Sequence, residues 1–227
     1  MAEWRLIVFD WDGTLMDSTG QIVEAAMRSI AELGLPHRSP EAVREIIGLG
    51  LRESWHHLFP ELDGETHYAA FVEAYRGHFF SPELYVSTLY DRAETLVESL
   101  HRQGRMLAVA TGKSRRGLDR DLKRTGLGRY FHGSRTADET RSKPHPDMLV
   151  ELMASLGASP AETLMIGDTE WDLEMARRAG VAAAGVTWGA HPAERLRRLG
   201  PVACLEAMDA LAAWLDNRDP QVLQGAG

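Results

Sequence analysis

Leu6-Ile7-Val8-Phe9-Asp10-Trp11-Asp12-Gly13-Thr14 joins four consecutive apolar residues to two carboxylates spaced one residue apart. The apolar run reads as a strand buried on both faces, so Asp10 and Asp12 emerge where it ends. Side chains at alternate positions of an extended segment project to the same side. One carboxylate can then attack an electrophile while the other carries a proton or helps hold a metal. Gly13 permits a tight turn close to a ligand, and Thr14 adds a hydroxyl.

Beyond this strand the pattern turns helical. Residues 19–34 carry Ile22, Ala25, Ala26, Ile30 and Leu33 at helical spacing, and Gly34 with Pro36 ends the segment. Shorter amphipathic helices are expected over 40–47, 51–59 and 65–80, separated by Gly48-Leu49-Gly50 and by residues 60–64. From about residue 91 helices and strands alternate. Helices are expected over 91–103, 114–125, 146–156, 170–179 and 192–199, and strands over 105–110, 131–136, 163–167 and 181–187, with a last helix at 211–215. Near-continuous apolar strands between helices predict an α/β fold with a doubly wound parallel sheet. The helical stretch 18–84 interrupts that sheet after its first strand and reads as an inserted cap. The expected division is a core of 1–17 and 85–216, a cap of 18–84 and a frayed tail of 217–227.

The composition bounds the function. A formal charge of −8 disfavours nucleic acid as a partner unless one surface is strongly basic. Arg115, Arg116, Arg120, Lys123 and Arg124 come nearest to such a surface, but Asp119 and Asp121 interrupt them, so a solvated helix face is expected. No apolar run approaches the roughly 20 residues that span a bilayer, and the start of the chain does not have the pattern of a secretory signal. One cysteine, Cys204, makes no internal disulfide and reads as a small core residue in a reducing, cytoplasmic setting. Acid-rich composition suits a divalent cation.

Ligands of open α/β sheets bind beyond the carboxyl ends of the strands, and the polar residues cluster there. The first strand ends in Asp10 and Asp12, the strand 105–110 in Thr111-Gly112, and the strand 163–167 in Gly167-Asp168-Thr169-Glu170-Trp171-Asp172; Lys143-Pro144 precedes a helix. In this order the four signals resemble those of the haloacid dehalogenase superfamily of phosphohydrolases, in the branch with a helical cap after the first motif. Any one alone is weak; together they are specific. The resemblance covers nearly the whole chain and is nearest to phosphoglycolate phosphatases, with a Rossmann-like core.

That resemblance implies roles. Asp10 is the expected nucleophile, forming an aspartyl-phosphate, and Asp12 the general acid and then base, its backbone carbonyl also joining the metal shell. Asp10 and Asp168 are expected to hold Mg²⁺, with Asp172 in support or purely structural. Thr111 and Lys143 are expected to bind the phosphoryl group, helped by Gly13, Thr14 and Gly112. Each has a plainer alternative, in turns and helix caps for Thr111 and the acids or in a surface position for Lys143. Relatives often carry Asn where this chain has Gly112, followed by Lys113, which leaves the number of substrate donors open. Trp11 is expected to pack near the site.

In the cap, Gly48-Leu49-Gly50-Leu51-Arg52 resembles the loop that relatives point at the substrate, so Arg52 is a candidate for substrate recognition and equally a surface arginine. His56 and His57 read as partly buried structural residues; Phe71, Tyr68, Tyr75 and Phe79 read as cap core. Within the superfamily, Asp12 disfavours a dehalogenase, Ile22 in place of a cap histidine disfavours a mutase, and the absence of any lysine before Lys113 disfavours phosphonate cleavage. The expected function is a Mg²⁺-dependent phosphomonoesterase for a small phosphorylated metabolite. Nucleotide or sugar monophosphates are alternative substrates, and a non-catalytic binding protein on the same fold is the alternative class. Monomer and homodimer both remain open, and a gating cap is expected to hinge near 16–19 and 82–86.

Overall fold

The computed structural model describes residues 4–62, 65–84 and 87–217. Residues 218–227 of the expected tail, and Tyr85 and Val86 at the expected core boundary and hinge, lie outside them.

The first strand, β1 (Leu6–Phe9), is buried along its whole length. The strands that flank it, β4 (Met106–Thr111) and β6 (Thr163–Gly167), run parallel to it, with Val8 opposite Ala108 on one side and Met165 on the other. The sheet continues outward to β5 (Gly133–Thr136) past β4, and to β7 (Ala182–Val186) and β8 (Ala203–Leu205) past β6, in the order β5-β4-β1-β6-β7-β8. All its pairings are parallel. Chain order reverses at β1, which makes its carboxyl end the switch point where such sheets bind ligands.

Alternation divides the core into two layers. Ile7, Phe9, Leu107, Val109, Leu164 and Ile166 pack on one face with α5 (Ala93–Arg102) and α10 (Met208–Asp216). Leu6, Val8, Ala108, Ala110 and Met165 pack on the other with α7 (Asp147–Leu156), α8 (Glu170–Ala179) and α9 (Ala193–Arg197). Burying each large side chain of β1 contributes roughly 1.5–3 kcal/mol. The remaining core helix, α6 (Arg115–Thr125), starts where Ser114 accepts a hydrogen bond from the Gly117 amide and ends at left-handed Gly126.

The helical stretch comprises α1 (Thr19–Glu32), α2 (Pro40–Glu45), α3 (Leu51–Leu58) and α4 (Glu65–Phe79). It has an apolar cluster of its own around Ala26, Ile30, Val43, Trp55, Phe59 and Phe71. Two short strands, β2 (Met16–Asp17) and β3 (Thr88–Leu89), pair antiparallel where the chain leaves and re-enters the core.

Several expectations change. The pair β2 and β3 and the edge strand β8 were not expected; two or three residues are too few to show a period. The last helix starts at Met208 rather than near 211. Cys204 packs against the core from β8 but is only half-buried, because an edge strand is covered less than a central one. His56 and His57 are exposed, since α3 turns Trp55 and Leu58 inward; the His57 ring lies against Trp171. The basic residues of α6 are largely engaged: Arg115 pairs with Asp119 and Glu139, Arg124 with Asp121, and Arg120 lies over the Phe80 ring. No helix among the described residues is long and apolar enough to cross a membrane.

Candidate active site

Beyond the carboxyl ends of β1 and β6, Asp10, Asp168 and Asp172 bring one carboxylate oxygen each to within 4.8 Å of one another, and all three residues are buried. Asp10 directly follows β1, its amide continuing the ladder to the Ile166 carbonyl at 2.9 Å. Lys143, with no exposed surface, places Nζ 2.7 Å from Asp10 Oδ1 and 2.6 Å from Asp172 Oδ1. Both are close ion pairs, but neither has the direction of a good hydrogen bond, and both Asp10 oxygens remain without one.

Electrostatics follow from this burial. Three carboxylates against one ammonium leave two formal negative charges in a dry site, an arrangement that costs several kcal/mol unless a cation joins it. Burial first, reinforced by Asp172 and Asp168 and opposed by Lys143, holds the Asp10 carboxyl well above its usual range. Burial and the Asp172 charge push Asp168 up to about 7. Burial works to lower Lys143, but Asp10 and Asp172 outweigh it and push the ammonium up to about 12.

Each acid is oriented by its surroundings. Asp168 accepts from the Thr14 hydroxyl at 2.8 Å through Oδ1 and from the Ala190 amide at 2.7 Å through Oδ2. A Cβ at Gly13 would come within 2.2 Å of Asp168 Oδ2, and one at Gly189 within 2.1 Å. Asp172 closes the first turn of α8, its Oδ2 accepting from the Thr169 amide at 3.1 Å and hydroxyl at 2.7 Å. It therefore caps a helix and faces the cluster at once.

The other candidate residues have these surroundings. Thr14 directs its hydroxyl to Asp168, and the Gly13 amide donates to the Met16 carbonyl at 2.8 Å. Thr14 thus orients Asp168, and Gly13 leaves the space that the Asp168 carboxylate fills. Arg52 stands outside the cavity described below, exposed, paired with Glu65 at 2.6 Å and stacked over Tyr68; an arginine at this place on α3 satisfies its charge on the outer surface. Thr111 is buried at the end of β4, its hydroxyl accepting from the Lys113 amide at 3.2 Å.

Asp12 does not join the three-acid cluster with its side chain. Its Oδ1 accepts from the Ser18 hydroxyl at 2.7 Å, and Lys113 Nζ lies 2.9 Å from Oδ1 and 3.0 Å from Oδ2. Lys113 also approaches Asp121 Oδ2 at 3.4 Å, and Asp121 accepts from the Trp11 indole at 3.2 Å. Burial works against this ammonium, yet Asp12 and Asp121 raise it. Asp121, expected on a solvated helix face, is buried here between Trp11 and Lys113, and no role at the site was expected of Lys113, Ser18 or Gly189.

The helical stretch closes over one side. Gly112 meets the backbone of the 48–50 loop so closely that a Cβ would fall 2.4 Å from the Gly48 carbonyl oxygen and 2.5 Å from that of Leu49. The Gly50 amide donates to Ser142 Oγ at 2.7 Å, and the Trp171 indole to the Glu45 carbonyl at 3.2 Å. Between the two parts a cavity of about 470 Å³ begins at Asp12, Gly112 and Lys113.

Buried carboxylates and a lysine at the switch point of a doubly wound sheet are the arrangement of an α/β enzyme site. Residues 7–186 match the model of the haloacid dehalogenase-like hydrolase family, and the chain belongs to that family. It is 36% identical over 199 residues to a protein of Dickeya dadantii described as a probable phosphatase, IndB, with 86% of each chain covered. A phosphoglycolate phosphatase of Aquifex aeolicus is 32% identical, over 82% of this chain and 85% of its own. The crystal structure of a hydrolase from Pseudomonas syringae superposes with a TM-score of 0.85 at 25% identity, covering 93% of this chain and 97% of the other.

Proposed function

We propose that this chain is a Mg²⁺-dependent phosphomonoesterase for a small phosphorylated metabolite, working through an aspartyl-phosphate on Asp10. The observation that carries the reading is the buried cluster of Asp10, Asp168 and Asp172 around Lys143, with two formal negative charges uncompensated. Oxygen-only donors and an excess of two charges suit a hard divalent cation. Asp10 and Asp168 would hold it and Asp172 would support it, and when bound it supplies neutralising charge beside the phosphoryl oxygens.

The chain's own residues account for the rest. An Asp10 oxygen attacks phosphorus as the ester bond to the alcohol breaks, and Asp12 gives its proton to the departing oxygen. Asp12 then takes a proton from the water that attacks the acyl-phosphate, which returns Asp10 as a carboxylate and releases phosphate. Lys143 and the Thr111 hydroxyl hold the phosphoryl oxygens, since this chemistry depends on positioning and charge neutralisation. Ser18 and Lys113 hold Asp12 from two sides.

In this reading 18–84 acts as a cap over a core formed by 1–17 and 85–216, and its contacts at Gly112 and Ser142 are those of a closed gate. The curated relatives named phosphatases support the reaction class. A single cysteine supports a reducing, cytoplasmic setting. The test is phosphate release from p-nitrophenyl phosphate with and without Mg²⁺, beside Asp10→Asn. Metal-dependent turnover that the variant lacks supports the reading; equal rates in the two proteins would sink it.

A further inference from the structure

Asp168 is oriented by a loop that carries none of the sequence motifs. Between β7 and α9, the Ala190 amide donates to Asp168 Oδ2 at 2.7 Å and the His191 amide to the Asp168 carbonyl at 3.3 Å. The Trp188 indole donates to the Thr14 carbonyl at 3.1 Å, and the Thr14 hydroxyl in turn donates to Asp168 Oδ1. A side chain that holds residues 188–191 in place therefore holds Asp168.

His191 is such a side chain. It is buried, and both of its ring nitrogens have partners on other segments. Nδ1 lies 3.1 Å from the Glu170 amide, which can only donate, so Nδ1 is the unprotonated nitrogen. Nε2 then carries the proton and donates to the Glu45 carbonyl at 3.2 Å. The two partners thus require a single, neutral tautomer.

Glu45 closes α2 in the helical stretch, and the last carbonyls of a helix have no partner within it. The Glu45 carbonyl takes two donors from the core instead, His191 Nε2 and the Trp171 indole. Its carboxylate pairs with Arg195, whose Nε also donates to Glu170 at 2.8 Å. The contacts to Glu45 need the helical stretch to be docked on the core.

We infer that His191 is a positioning residue for Asp168 and ties the orientation of this acid to the docking of the helical stretch at Glu45. The inference rests on the reading of Asp168 as a holder of Mg²⁺ beneath a gating cap, and adds the residue that couples the two. Such coupling is reciprocal: docking favours the cation, and the cation favours docking.

The test uses the full chain without substrate and Mg²⁺ alone as the probe. Its readouts are Mg²⁺ affinity by calorimetric titration and hydrogen–deuterium exchange of residues 44–50 with and without Mg²⁺. His191→Asn keeps an acceptor near the Glu170 amide but has no atom in the place of Nε2. It is expected to weaken Mg²⁺ about tenfold, within the range for residues that orient metal-holding groups, and to abolish the slowing of exchange that Mg²⁺ produces in 44–50 of the wild type. A structural role alone would lower the thermal midpoint in chelator and leave affinity and exchange as in the wild type; that result overturns the inference. Should His191→Asn not fold, Arg195→Met removes the ion pair at Glu45 and leaves the hydrogen bonds of His191 in place. It is expected to weaken Mg²⁺ about threefold, the scale of a partly exposed ion pair, and unchanged affinity in it overturns the inference. Absence of Mg²⁺ binding to the wild type removes the metal reading itself and this inference with it.

Discussion

Lys113 Nζ lies within 3.0 Å of both carboxylate oxygens of Asp12, whose side chain stands outside the cluster of Asp10, Asp168 and Asp172. The two acids of one motif thus have separate surroundings. Asp10 shares Lys143 with Asp172, whereas Asp12 shares Lys113 with Asp121. In the proposed reaction the first set serves phosphoryl transfer and the second proton transfer.

Lys113→Met removes the ammonium that fixes Asp12 and leaves Asp12 and Asp121 without it. Proton delivery matters most when the leaving group is a poor one. Specificity constants for alkyl phosphates are expected to fall about 10²-fold, the scale of general acid catalysis, and that for p-nitrophenyl phosphate much less. Steady-state kinetics on both ester types checks this; equal losses would point to a structural role only.

Gly112→Ala sets a Cβ against two carbonyl oxygens of the 48–50 loop, at 2.4 and 2.5 Å. The backbone of one or both segments must shift. The expected result is a rise in KM and a fall in kcat, together about tenfold or more, with far-UV circular dichroism unchanged. Wild-type kinetics would show that the close approach has no part in catalysis.

Thr14→Val removes the hydroxyl that donates to Asp168 at 2.8 Å while keeping the shape of the side chain. Residues that orient a metal-holding carboxylate commonly change metal affinity by about 10–100-fold. The Mg²⁺ concentration for half-maximal rate is expected to rise by that order, with the rate at saturating Mg²⁺ closer to wild type. A titration of rate against Mg²⁺ measures both.

Stability without divalent cation depends on pH through the acid cluster. Asp168 is harder to ionise in the folded chain, about 7 against an ordinary 3.8. Its contribution to stability is therefore complete below the ordinary value and is lost as pH rises through about 7. Asp10 acts in the same direction. Thermal midpoints in chelator are expected to fall from pH 5 to pH 7.5, and Mg²⁺ to raise the midpoint more at pH 7.5 than at pH 5. Asp10→Asn removes one charge from the cluster and is expected to raise the chelator midpoint at pH 7.5 while abolishing turnover.

Arg52→Ala is expected to leave kcat and KM within about twofold on every substrate, because surface ion pairs such as Arg52 with Glu65 contribute little. A selective loss on one substrate would return Arg52 to the recognition site.

Much of the site was legible because motifs at strand ends are local. Asp10, Thr111 and Asp168 each follow a run of apolar residues whose pairing with its neighbours is fixed by burial, so their convergence needed only the parallel sheet. Asp172 was legible as a residue in the first turn of a helix, but its second contact, to Lys143, was not. Of the partners of Asp12, Ser18 is 6 residues away in sequence but Lys113 is 101. A compositional signal existed all the same. The chain has only three lysines, Lys113, Lys123 and Lys143, among many arginines. Lys143 is buried and Lys113 partly buried at this site, where a compact ammonium fits between carboxylates. For Arg52 the sequence left both substrate recognition and a surface position open, and the ion pair with Glu65 on α4 places it on the surface.

The sequence by itself determined the α/β class, the helical interruption after the first strand and the identity of the acids at the strand ends, because burial periodicity and strand-end chemistry are written within a few residues of one another. Tertiary structure alone decided which ammonium faces which acid, that the Thr14 hydroxyl donates to Asp168, and how large a space the helices enclose. Those properties arise from distances between segments far apart in the chain, and only packing sets them.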